Sequence, residues 1–112
     1  MIIDFNNTNE ITVKSLNGGT GSVISKMHID DDGKVMISRI PVGSSIGMHT
    51  QKTSDDINLV ISGEGLAICN GVEEKLCAGV CHICKKGSTH SIINTGESEL
   101  VLFTVVAEKA QL

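Results

Sequence analysis

Cys77 to Cys84 read CAGVCHIC, which puts three of the chain's four cysteines in the spacing C-x3-C-x2-C with His82 among them. That spacing can supply three corners of an iron–sulfur cluster, and mixed thiolate and imidazole donors also suit zinc. Arg39 is the one arginine, and a guanidinium is the side chain best shaped to clamp a carboxylate through two parallel hydrogen bonds. Tyrosine acid–base chemistry is excluded, because the chain has no Tyr. The glycine cluster GGTG lacks the Lys-Ser/Thr end of a phosphate-binding loop and a following helix, so it reads as a turn. The acidic run Asp30–Asp32 reads as a solvated turn, and His28 before it as a surface residue at a strand end.

The elements that must carry these groups are short. Apolar runs rich in Val and Ile occur at Ile11–Val13, Ser22–Ile24, Val35–Ile40, Ile57–Ile61, Leu66–Cys69, Gly79–Cys84, Ser91–Ile93 and Leu100–Val106. Turns containing Gly, Asn or Asp separate them at 17–21, 30–34, 41–47, 62–65, 70–74, 85–88 and 94–98. Many short strands at this spacing, with no long amphipathic helical period, predict an all-β sandwich or barrel. A chain of 112 residues without a Pro- or Ser-rich linker is read as one domain over 1–112, large enough for a single core without disulfides.

Composition narrows the function classes. The net charge is −4 and the largest basic run is Lys85-Lys86, which argues against a nucleic-acid surface. Phe5 and Phe103 are the only members of the Phe, Tyr and Trp group, too few for the stacking platforms of sugar or single-strand binding. The start, MIIDFNNTNE, has no positive region followed by an apolar core. No apolar run approaches the roughly 20 residues of a membrane span. The expectation is a cytoplasmic protein with reduced cysteines and neither nucleic-acid nor membrane partners.

Two glycine-punctuated segments each carry a histidine in a fixed frame. The first is Gly43-x5-His49-x-Gln51-x4-Asp56-x6-Gly63, and the second is Gly79-x5-Lys85-x-Gly87-x2-His90-x3-Asn94. These resemble the two motifs of small single-domain cupins of the RmlC-like type, G-x5-H-x-H-x3–4-E-x6-G and G-x5-P-x-G-x2-H-x3-N. GEGLAICNG, which ends the first frame, resembles the hairpin that family carries between its motifs. The resemblance implies a double-stranded β-helix, a jelly-roll-like barrel. It also implies a divalent metal (Fe, Mn, Ni, Co or Zn) at the positions of His49, Gln51, Asp56 and His90. Further implications are a small-molecule ligand and a homodimer paired through an outer sheet.

Strand alternation accounts for the spacing. Residues two apart on a strand face one side, so His49 and Gln51 point together, and Asp56 shares its face with Asn58 and Val60. Two positions depart from the family: Gln51 replaces a histidine and Asp56 a glutamate. Two imidazoles and one carboxylate still make the donor set of a facial triad with open positions. The competing reading is a degenerate polar pocket whose histidines are satisfied by hydrogen bonds. Asp55 lies beside Asp56 and fits the shorter spacing, though the six residues to Gly63 favour Asp56.

The same strand reading demotes CAGVCHIC, because Cys81 and Cys84, three apart, face opposite sides and cannot pinch one ion. Cys69, Cys81 and Cys84 are expected as core filler, and Cys77 near a turn as exposed. His82 is expected to be no ligand, with its orientation open. Arg39 is a candidate substrate anchor, Met48 and Ile46 candidate pocket walls, Asn58 a polar pocket residue, and Asp55 or His82 a candidate proton shuttle. The functional expectation is a metal-binding cupin acting on a small oxygenated or carboxylate compound, in the manner of the family's dioxygenases, decarboxylases and isomerases. The alternative is a non-catalytic binding or sensing module with a degenerate metal site.

Overall fold

The computed structural model describes residues 1–109. Among them, ten strands form two antiparallel sheets. They are β1 (Ile11–Lys14), β2 (Ser22–Asp30), β3 (Gly33–Ile40), β4 (Ser45–Thr50), β5 (Ser54–Ser62), β6 (Glu64–Cys69), β7 (Val72–Cys77), β8 (Cys81–Cys84), β9 (Thr89–Asn94) and β10 (Leu100–Glu108). The larger sheet has the order β1-β2-β3-β10-β5-β8, and the smaller β4-β9-β6-β7. Among the described residues, no helix is long and apolar enough to cross a membrane.

The strands expected from the apolar runs and at His49 are present; β4 starts earlier than expected, and β7 joins them. β4 begins inside the stretch read as a turn over 41–47, because Gly47 and the serines hid its pattern. β7 reads VEEKLC and buries only Leu76. It is an edge strand, so most of its side chains face water and carry no apolar alternation. Its start is set by Asn70 and Gly71, both with positive φ (50° and 81°), the two left-handed residues of a tight hairpin turn. β2 also runs on to Asp30, well past the apolar triplet that announced it.

Inward-facing residues change character along each strand, and this change creates the site. On β10 the inward column runs Leu100, Leu102, Thr104; on β5 it runs Val60, Asn58, Asp56; on β9 it runs Ile92, His90. All of these are buried. Cross-strand register aligns the columns into rows. Ile46–Ile92–Ala67 crosses the small sheet, and the next inward row is His49–His90–Cys69. The large sheet pairs Leu102 with Val60, then Thr104 with Asn58, then Val106 with Asp56. One end of the sandwich is therefore an apolar core of Val23, Ile40, Val60, Ala67, Leu76, Ile92, Leu100 and Leu102. Burying each large member contributes about 1.5–3 kcal/mol, so this end can hold the sheets together while the other end carries polar groups.

Candidate metal centre

A bulge in β4 aims the first histidine. β4 and β9 pair Ser45 with Ile93 and Ile46 with Ile92, and resume at His49 with His90, so β4 carries one extra residue between. Such an insertion bends a strand and re-aims the next side chain. Ile46 and His49 both face the cavity as a result, while Met48 turns outward and is 52% exposed. The expected pocket role of Met48 is corrected: adjacent to inward-facing His49 it faces out by alternation, and the bulge is what brings Ile46 to the cavity.

The bulge is held from behind. Gly47 packs against the loop 17–19 so closely that a Cβ there would meet the Asn17 carbonyl and stand 2.6 Å from the Gly19 nitrogen. The Gly47 carbonyl lies 2.8 Å from His49 Nδ1. A carbonyl only accepts, so Nδ1 carries the proton and His49 Nε2 is left as a lone pair.

His90 and Asp56 complete the cluster. His90 is fully buried, with Nε2 3.1 Å from Asp56 Oδ2 and 3.2 Å from His49 Nε2. One donor atom from each of His49, Asp56 and His90 lies within 4.8 Å of the other two. Asp56 Oδ1 is buried with no hydrogen-bond partner, and a buried carboxylate oxygen is costly to leave so. Two imidazoles and a carboxylate with an orphaned oxygen match the donor chemistry of first-row divalent metals. The residues present fit such an ion. They line a cavity of about 360 Å³ together with Gln51, Asn58, Thr104 and apolar residues such as Ile46 and Leu102.

Gln51 sits just past the end of β4, its backbone tied to Ser88 (2.9 Å) and Gly87 (2.6 Å). Asn58 is buried and accepts a 2.7 Å hydrogen bond from Thr104 Oγ1, which orients its amide. Thr104 was not singled out from the sequence, because its inward position follows only from the β10–β5 register. Lys34 also reaches the cavity rim, and nothing local in DDDGK marks it.

Other candidates lie elsewhere. Arg39 forms the bidentate clamp its chemistry suggests, but on Glu10 (2.9 and 3.1 Å), with Glu99 at 2.8 Å, on the exposed face of β3. It anchors the N-terminal segment and does not reach the cavity. Asp55 points away from the cluster to the Lys86 N–H (2.8 Å), Lys109 (2.9 Å) and Lys85 (3.0 Å). These groups, the Lys86 amide first, hold its carboxyl well below the usual carboxylate range. Asp55 is a structural tie for the end of β5, and its expected shuttle role does not match that placement.

The cysteines split by strand face. Cys84 is buried, Cys69 half-buried, and Cys77 and Cys81 exposed. Cys81 faces outward on the edge strand β8 opposite Leu59, so it is not core filler. Burial first, and then Cys69, push the Cys84 thiol up to about 12, which keeps it protonated beside Asp56. His82 faces inward, fully buried, 2.9 Å from His90 Nδ1. Its other ring nitrogen is 2.8 Å from Glu74. Glu74 was missed, because in VEEKLC it reads as a solvated residue.

Residues 36–106 match the family model for the cupin domain. The chain belongs to the cupin family. Its two sheets form the cupin double-stranded β-helix. This cupin is 30% identical over 108 residues to an oxalate-binding protein of Thermotoga maritima, across 88% of this chain and 89% of that protein. Its fold matches the crystal structure of a Thermotoga maritima protein described as a predicted oxalate decarboxylase, with TM-score 0.91 and 24% identity. That match covers 97% of this chain and 100% of the other. An RmlC-like cupin from Shewanella frigidimarina matches with TM-score 0.79 and 13% identity over 97% of this chain and 91% of the other.

Proposed function

We propose that this cupin binds a small dicarboxylate of the oxalate class through a divalent metal held by His49, Asp56 and His90, with Gln51 as an optional fourth donor. The observation that carries the reading is the convergence of three donors around an orphaned, buried carboxylate oxygen. When bound, the ion supplies positive charge and open coordination positions for an oxygen ligand. The chain itself supplies little such charge. Among the described residues, Lys34, on the rim, is the one Lys or Arg lining the cavity, and Asp56 is the one carboxylate there to repel a dianion. Asn58, oriented by Thr104, offers an amide to a bound carboxylate. The oxalate-binding name of the Thermotoga maritima relative supports the ligand class. Calorimetric titration of oxalate is expected to show binding to Mn(II)-loaded protein and none after chelation. Equal binding to metal-free protein would contradict the proposal.

A second reading is binding without turnover. It is favoured by the neutral cavity wall, where Asn58, Thr104, Ser25 and Ser38 stand beside the donor set. In the same titration samples, release of formate or CO2 above the metal-free control rules this reading out.

We further propose pairing of two copies through the outer face of the large sheet. Register lays down two apolar rows there, Ile37–Phe103–Leu59–Cys81 and Val35–Val105–Ile57–Ile83. Leu59 and Ile83 are 41% and 47% exposed. The rows end on β2 at Lys26 and His28, but across β3, β10, β5 and β8 they carry no charge, and such a face is self-complementary under a two-fold axis. Sedimentation velocity should give a dimer for the native chain and a monomer for Leu59→Lys with Phe103→Lys. A monomeric native chain at the same concentration refutes the pairing.

A further inference from the structure

We infer that Glu74 and His82 form a positioning pair that fixes the tautomer of His90, so that the Nε2 lone pair of His90 faces the metal position. This rests on the metal reading above and names residues outside its donor set. Three contacts run in series from the surface inward. Glu74 Oε1 lies 2.8 Å from His82 Nδ1, His82 Nε2 lies 2.9 Å from His90 Nδ1, and His90 Nε2 lies 3.1 Å from Asp56 Oδ2. The two rings stack with centroids 5.1 Å apart and an interplanar angle of 28°.

When an ion is held at the donor cluster, the direction of each hydrogen bond follows from its outer end; without one, the Asp56 carboxylate also only accepts, and His90 Nε2, 3.1 Å from Asp56 Oδ2, donates to it. An ionised carboxylate can only accept, so His82 Nδ1 donates to Glu74. A neutral His82 then presents a lone pair at Nε2, and His90 Nδ1 must donate to it. The single ring proton of His90 is thereby used, and its Nε2 is free to coordinate. The opposite order would place a proton on His90 Nε2, in the middle of the donor cluster. His49 reaches the same state by another route, through the Gly47 carbonyl. The ends of the relay sit on two sheet edges: β7 closes the small sheet and β8 the large one. Glu74 therefore connects a half-exposed position to a fully buried ligand through one imidazole. Carboxylate–histidine pairs behind metal ligands act in this way, and their loss typically weakens metal affinity about 10–100-fold.

Two readouts test the pair. Nitrogen NMR at about pH 8, where free imidazoles are neutral, should find His82 protonated at Nδ1 in metal-free and Zn(II)-loaded protein alike, and bare at Nε2 in the Zn(II)-loaded form. Titration with Mn(II) alone should show Glu74→Ala weakened about tenfold or more, with Glu74→Gln, which keeps an accepting oxygen, recovering most of the loss. If the pair is only a staple between sheet edges, Glu74→Ala lowers thermal stability but leaves both the His82 tautomer and the Mn(II) affinity unchanged, and the inference fails. If the native chain binds no Mn(II) or Zn(II), the metal reading fails. The His82 Nδ1 proton in metal-free protein still decides the Glu74 contact, and a bare Nδ1 overturns the pair.

Discussion

His90→Ala is expected to lower affinity for a divalent cation by at least about 100-fold, beyond the 10–100-fold typical of residues behind the ligands. His90 is the fully buried member of the cluster, within 3.2 Å of both other donors. The loss should be visible as stability. A cation at about 100 times its Kd stabilises the native state by about 2.7 kcal/mol, which raises Tm by about 10 °C for a domain of this size. Native protein should therefore melt about 10 °C higher with Mn(II) than after chelation, and His90→Ala should show no such difference. The comparison is made within each variant, since removing His90 also leaves Asp56 buried without its partner and lowers the baseline. A metal-dependent shift that survives in His90→Ala would refute its role as a ligand.

Gly47→Ala is expected to cost about 3 kcal/mol, at the upper end for overpacking, because its Cβ would press on backbone atoms of Asn17 and Gly19 that have no rotamer to yield. The loop 17–19 or the bulge must move. If the bulge moves, the Gly47 carbonyl that holds His49 Nδ1 moves with it. The variant should therefore lose both denaturation midpoint and metal affinity, unlike Ala substitutions at the exposed Met48. Chemical denaturation and Mn(II) titration of the two variants check this, and a Gly47→Ala protein of native stability and affinity would contradict the packing argument.

The sequence carried much of this arrangement in its spacing. The frames around His49 and His90 placed the two segments that meet as cross-strand neighbours in β4 and β9, and the Val- and Ile-rich runs marked the central strands. What it concealed follows from physical causes. The bulge at Gly47–Met48 adds a residue without any local signature and turns Ile46 to the face of His49, whereas Met48, adjacent to His49, faces out by alternation alone. β7 has one buried residue, so period-2 alternation could not announce it. Arg39 has the chemistry of a carboxylate clamp, and only the fold shows that its carboxylates are Glu10 and Glu99. Asp55 and Asp56 differ by one position, and the strand's alternation sends one to a lysine pair and the other to the cavity. The Glu74–His82 contact joins two sheet edges and depends on tertiary placement alone.

Elemental analysis of untagged protein purified from metal-replete medium tests the central claim most directly. The predicted result is about one first-row divalent ion per chain, lost in His49→Ala with His90→Ala. A metal content near zero in the natively folded chain would contradict it.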